Sequence, residues 1–181
     1  MENNWKTLSS TTVYENAWIA IRHEDVINPT GNKGIYGVVS FKNIAIGIIP
    51  IDAEGNTWLI GQYRYTLNEY SWEIPMGGGS KTHTILESAQ RELQEETGFH
   101  ANTWTELMKL HTSNSVTDEV GYVFLAQDLV AGEATPEETE VLKLWKLPLK
   151  EAVAMVMEGK ITDAISVAGL LKVAMLYKIT N

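Results

Sequence analysis

Glu92, Glu95 and Glu96 crowd the end of one short predicted helix, behind the glycine run Gly77-Gly78-Gly79, which reads as a loop. Thr84 and Glu87 have the spacing of a capping box. Ile85, Leu86, Ala89 and Leu93 form a helical apolar stripe, and Gly98 stands where a left-handed C-terminal cap belongs. A helix over 85–97 follows. At roughly 100° per residue, Glu92 and Glu96 lie about 40° apart at the border of that stripe, facing the edge of the core. Like charges at i and i+4 weaken an exposed helix by about 0.2–0.5 kcal/mol, and partial burial raises the penalty. A divalent cation relieves the conflict. Oxygen ligands with no His or Cys beside them suit a hard ion, Mg²⁺ first and Mn²⁺ second. Magnesium keeps waters and favours phosphate oxygens, which points to phosphate-containing substrates. The alternative is a solvated acidic face, a common fate of Glu-rich helices.

Composition narrows the chemistry further. With 181 residues, 44% of them hydrophobic, the chain can bury one substantial core and reads as a single domain. Fourteen Lys and Arg against 23 Asp and Glu leave a formal charge of −9, which disfavours long nucleic acids but not small anions neutralised locally. With no Cys, disulfides, thiol nucleophiles and zinc–thiolate centres are excluded. The polar start MENNWKTLSS and the lack of a long apolar run lead us to expect a soluble cytoplasmic protein without membrane contact.

The elements that must position the carboxylates are mostly strands before the helix, then strands, then helices. Strand-rich segments are expected over 12–28, 35–41, 44–51, 57–65, 72–74, 104–111, 120–128 and 141–147, with a turn at Pro29-Thr30-Gly31-Asn32. Helices are expected over 149–157 and about 162–177. A mixed sheet covered by helices, an α/β fold, is the expected architecture.

Gly77, Arg91-Glu92-Leu93, Glu95-Glu96 and Gly98-Phe99 together resemble the Nudix box, G-x5-E-x7-R-E-U-x-E-E-x-G-U, where U is a bulky apolar residue. His83 stands where that pattern has its first Glu, and we read it as a solvent-facing loop residue. Gly61-Gln62-Tyr63-Arg64-Tyr65 and Trp72-Glu73-Ile74-Pro75-Met76-Gly77 are similar to the QYR and ELPAG elements of the ADP-ribose and nucleoside-diphosphate-sugar pyrophosphatase branch. The start of the last predicted helix, Glu158 to Ala164, is similar to that branch as well. The resemblance implies an α/β/α Nudix sandwich with a mixed sheet. It divides the chain into an N-terminal β region (about 1–42), which often helps form a homodimer, and a Nudix core (about 43–181).

The resemblance also implies roles. Glu92 and Glu96 would hold Mg²⁺, with Glu95 assisting and the Met76 carbonyl completing the shell. Arg91 would orient the carboxylates through its planar fork, or form an ordinary helix pair with Glu95 or Glu87. Water attacking a pyrophosphate must lose a proton, and the acidic segment Glu133 to Glu140 matches the loop that delivers the base in this branch. We choose Glu138 as base and Glu140 as helper or metal ligand, with Glu137 the third candidate. A solvated loop or a helix start at Pro136 is the alternative. Arg64 is read as a diphosphate ligand, Glu73 as a partner for a base or sugar hydroxyl, and Glu119 as a secondary site residue. Trp18, Tyr63, Tyr70 and Trp72 are candidates to stack on a nucleobase or, alternatively, core and interface aromatics. Arg22 and Lys33 read as surface charges and His111 as a packed or exposed strand end.

Ser113-Asn114-Ser115 stands where ADP-ribose hydrolases of the branch carry Ser-Pro-Gly. The departure favours a broader or different nucleoside-diphosphate sugar, of the GDP-mannose or ADP-glucose kind. Two alternatives stay open: hydrolysis of dinucleoside polyphosphates or RNA 5′ ends by the same box, and a catalytically silent domain that binds a nucleotide effector.

Overall fold

Thr84 and Gly98 end the acidic helix as their chemistry requires. The computed structural model describes residues 2–80, 82–135 and 141–179. In chain order its elements are β1 (Lys6–Glu15), β2 (Ile19–Ile27), β3 (Lys33–Phe41), β4 (Ile44–Pro50), β5 (Asn56–Arg64), β6 (Glu69–Glu73), β7 (Met76–Gly79), α1 (Ile85–Thr97), β8 (Phe99–Leu110), β9 (Gly121–Ala131), β10 (Lys143–Pro148), α2 (Leu149–Met157) and α3 (Ala164–Leu176). At the start of α1, Thr84 Oγ1 accepts the Glu87 N–H at 3.1 Å and Glu87 Oε2 accepts the Thr84 N–H at 2.8 Å. At its end Gly98 is left-handed, with φ 74°, and a Cβ there would meet Ala134 N at 2.8 Å. Glycine alone fits both constraints.

A four-stranded mixed sheet, ordered β7-β4-β9-β8, lies at the centre. β4 and β9 run parallel and the other pairs antiparallel. Ile46 and Ile48 of β4 pack with Ala89 and Leu93 of α1, while Ile49 joins Val123, Ile165 and Leu170 on the α3 side. The sheet is thus covered by α1 on one face and α3 on the other. A strand buried on both faces must be apolar almost throughout, which is why β4 reads IAIGIIP. A second sheet, β10-β5-β6, is antiparallel and adds Leu59 and Leu147 to the α3-side core, where α2 contributes Ala152 and Val153.

The N-terminal strands form a separate sheet, β1-β2-β3, with β1 exposed along its whole length. It is tied to the loop before β9. Val39 N–H donates to Val116 O at 2.9 Å, the Tyr36 hydroxyl to Ser115 O at 2.7 Å, and Phe41 N–H to Asp118 Oδ1 at 2.8 Å.

Two expectations need correction. The run expected over 12–28 is two strands, because Asn16 Oδ1 accepts the N–H groups of Trp18 and Ile19, each at 2.8 Å, and turns the chain between β1 and β2. The first half of β1 is polar and exposed, so it carried no apolar alternation to read. The glycine run expected as a loop is strand β7, paired with β4 from Ile44 to Gly47. Among the described residues no helix is long and apolar enough to cross a membrane.

Candidate active site

Glu92, Glu95 and Glu96 of α1 open onto one cavity. Trp18, Asn43, Gly77, Gly78, Arg91, Glu92, Glu95 and Glu96 line a space of about 210 Å³. Glu92 and Glu96 are buried, 7% and 6% exposed, as charged groups are when they have partners. Their position follows from the helix register, and their cover from β7. A Cβ on Gly77 would lie 2.1 Å from Glu92 Oε2, so the strand passes over this carboxylate only as glycine. Arg91 spreads its fork over the same group of residues: Nη1 donates to Glu95 Oε2, and Nη2 to Glu92 Oε1 and, at 3.0 Å, to Gly78 O. The i,i+4 pair with Glu95 is thus present, and the same fork reaches Glu92. The Met76 N–H donates to Glu96 Oε2 at 2.8 Å, tying the start of β7 to the end of α1.

A second space of about 400 Å³ adjoins the first and shares Trp18, Asn43, Gly77 and Gly78 with it. Gln62, Arg64, Phe41, Met76 and Glu119 line its far side. Arg64 stands there held from behind, its Nε donating to Glu73 Oε1 at 2.9 Å and its Nη2 to Glu73 Oε2. Donating to the Glu73 carboxylate pushes the Arg64 pKa above its ordinary value, against burial, which pulls it down; attraction to Glu73, Asp163 and Glu96 adds to the rise. Glu119 accepts the Thr112 hydroxyl at its carboxylate, and His111 Nδ1 lies 3.1 Å from the Glu119 carbonyl.

Other candidates are not brought together. Glu73 is 3% exposed and both its oxygens meet Arg64, so it does not line the cavity as a hydroxyl partner would. Trp72 follows the strand period of two onto the opposite sheet face, where it meets Trp145 at a 5.0 Å ring distance. Tyr63 and Tyr70 are paired in register and half exposed, away from the carboxylates. His83 is exposed, in a small recess with Ser80, Glu87 and Arg91. Arg22 pairs with Glu24 inside the N-terminal sheet, and Lys33 is exposed.

The sequence of residues 41–165 matches the NUDIX domain model, and residues 5–39 match the nucleoside diphosphate sugar hydrolase N-terminal domain. This chain belongs to the Nudix family. It is 35% identical over 179 residues to an ADP-ribose pyrophosphatase of Mycobacterium tuberculosis, covering 95% of this chain and 84% of that protein. It is 30% identical over 161 residues to an ADP-ribose pyrophosphatase of Bacillus subtilis, covering 88% and 86%. A crystal structure of an ADP compounds hydrolase superposes with a TM-score of 0.87 at 25% identity, over 97% of this chain and 95% of that one.

Nudix hydrolases work with divalent metal ions. Among the described residues, no three His, Cys, Asp or Glu side chains are already gathered as a cage. The carboxylates of Glu92 and Glu95 are instead turned to Arg91, and one oxygen of Glu96 to the Met76 amide. A small hard ion that keeps most of its waters needs only one or two carboxylates from the protein, and Glu92, under Gly77, lines the same cavity as Glu95 and Glu96. The residues fit the ion on those terms.

Glu137, Glu138 and Glu140 lie outside the described residues. Just before them, Thr135 N–H donates to Glu95 O at 3.0 Å and Gly132 N–H to Gly98 O at 2.7 Å, so the acidic segment leaves from the C-terminal end of α1. Asn43 and Gln62 are cavity residues that the sequence reading did not single out as functional. Gln62 lay inside the QYR element, two residues before Arg64 and hence on its face; Asn43, in the turn before β4, carried no comparable signal.

Proposed function

We propose that this Nudix hydrolase splits nucleoside-diphosphate sugars into a nucleoside monophosphate and a sugar phosphate, using Mg²⁺ or, second, Mn²⁺. One observation carries the reading: the cavity of Glu92 and Glu96 opens, through a shared wall of Trp18, Asn43, Gly77 and Gly78, into the larger one that holds Arg64. Acidic residues able to bind a cation sit beside a fixed guanidinium able to bind phosphate, in a space that also has room for a nucleoside or sugar. The matched N-terminal family model and the two pyrophosphatase relatives support the same class.

Glu92 and Glu96 would hold the ion, with Glu95 and the Met76 carbonyl assisting. When bound, a divalent ion polarises phosphoryl oxygens and offsets the charge that builds on them. Glu138 takes a proton from the attacking water as its oxygen bonds to phosphorus and the bridging P–O bond breaks, with Glu140 as helper. Arg64, its Nε and Nη2 held by Glu73, offers the remaining edge of its guanidinium to the diphosphate. Arg91 keeps the carboxylates of α1 spread and oriented.

We read residues 1–181 as one unit, an N-terminal β region to about 42 and a Nudix core beyond it, working as a cytoplasmic homodimer. The exposed Leu8, Val13 and Tyr14 of β1 support pairing of that sheet with a second copy. The charge of −9 speaks against long nucleic acids as partners. Asn114, in place of the proline of strict ADP-ribose hydrolases, supports a broader sugar range. Incubation with Mg²⁺ and a panel of ADP-ribose, GDP-mannose, ADP-glucose and dinucleoside polyphosphates tests the reading. Turnover of the sugars is expected; binding without turnover, or turnover of the polyphosphates alone, would replace it.

A further inference from the structure

We propose that Ser166, on α3, is a positioning residue for the carboxylate site. The proposal rests on the reading of Glu96 as a metal-holding residue. Between β6 and β7 the chain crosses from one sheet to the other through Ile74 and Pro75. Proline has no N–H, so Ile74 and Met76 supply the backbone donors of this crossing. Both donate to side chains from distant helices: the Ile74 N–H to Ser166 Oγ at 3.0 Å, and the Met76 N–H to Glu96 Oε2 at 2.8 Å. The Pro75 carbonyl accepts the Ile48 N–H of β4 at 2.8 Å. A segment held at three successive residues cannot shift at one without shifting at the others, so the height of Ile74 decides where the Met76 N–H meets Glu96.

The contact with Ser166 is built into the packing. Ser166 and Ile74 are both 0% exposed. Asp163 Oδ2 accepts the Ser166 N–H at 2.7 Å, which caps α3 and orients its first turn. Glycines let that turn sink onto the sheet. A Cβ on Gly47 would lie 2.7 Å from Ile165 Cγ2 and 2.9 Å from Ile74 Cδ1, and one on Gly169 would lie 3.0 Å from Val123 Cγ1. Larger residues at these positions would lift α3 and take the hydroxyl out of reach of Ile74. Ser166 touches neither ion nor substrate; it acts through the backbone that holds Glu96.

The experiment measures Mn²⁺ binding by electron paramagnetic resonance, without substrate, in the full chain and in Ser166→Ala, Ile165→Val and Glu96→Gln. Ser166→Ala is expected to weaken Mn²⁺ about 10-fold, in line with groups that orient metal ligands, and to speed hydrogen exchange at the Met76 amide. Ile165→Val, which loosens the same helix turn while keeping the hydroxyl, is expected to change neither. If Ser166→Ala does not fold, Ser166→Cys, near in size and a poorer acceptor, carries the same expectation. Unchanged Mn²⁺ affinity in the serine variant, or an equal loss in Ile165→Val, overturns the role of Ser166 while the metal site stands. A wild-type chain that binds no Mn²⁺, or Glu96→Gln that binds it normally, overturns the metal reading and the role of Ser166 with it.

Discussion

The Glu92 carboxylate fills the space that a side chain at Gly77 would need: a Cβ there would lie 2.1 Å from Oε2. β7 therefore acts as a roof whose missing Cβ leaves room for a charge. Gly77→Ala is expected to displace the end of Glu92 more than the fold, because a carboxylate swings more readily than a paired strand. Activity should fall by about 10²-fold, the scale of an ångström of misplacement at a reacting centre, while the melting temperature moves by only a few degrees. Steady-state kinetics beside a thermal melt checks this; a normal rate would mean that Glu92 is not held where it matters.

Arg64 and Glu73 form a fork whose carboxylate is almost wholly buried. Arg64→Ala leaves that charge without its guanidinium partner, a change that costs about 3–5 kcal/mol in a buried pair and less here, because Arg64 itself is partly exposed. Urea unfolding of the variant is expected to show a clear loss of stability along with a raised KM for substrate. Unchanged stability would show that Glu73 is solvated in solution and open to substrate after all.

For Glu138→Gln, the expected outcome is a fall in kcat of about 10²-fold with little change in substrate binding, the mark of a lost general base. Single-turnover kinetics beside equilibrium binding separates the two effects. A normal kcat would move the role to Glu137 or Glu140.

Asp52 predicts an acid-dependent loss of stability. Burial by itself would raise its pKa, but hydrogen bonds from Lys146 and Asn56 outweigh burial and hold the carboxyl well below its usual range. Lys146 Nζ lies 2.7 Å from Oδ2, and the Asn56 N–H donates to Oδ1 at 2.8 Å. Because the folded pKa is the lower one, the stabilisation is fully present above the unfolded value of about 3.9 and is lost as pH falls toward the folded value. Asp52→Asn should therefore be less stable at neutral pH, and its stability should decline less steeply below about pH 4. Chemical unfolding at several pH values reads this directly; parallel acid limbs in the two proteins would contradict it.

How far the sequence reaches depends on the range of the interactions that decide each feature. Helix α1 is local in every respect, since Thr84, Glu87 and Gly98 act within one turn of its ends and the i,i+4 repeat sets Glu92 and Glu96 side by side. Its limits, and the grouping of its carboxylates at one edge, were therefore legible without coordinates. The apolar run of β4 announced a strand covered on both faces in the same way. The polar, exposed first half of β1 announced nothing, because no core contact shaped its pattern.

Tertiary structure decided which face of each strand the site uses. Trp72 and Glu73 are neighbours in sequence and lie on opposite sheet faces, a split that strand period alone foretells without saying which face meets the carboxylates. The pairing of β5 with β6 put Arg64 and Glu73 on one sheet face, where their side chains meet, and β7, read in the sequence as a loop, became the glycine strand over Glu92. Ser166 reaches Ile74 across 92 residues of chain. A hydrogen bond of that span has no periodicity to betray it, because it exists only once two sheets and three helices have fixed how close α3 can come.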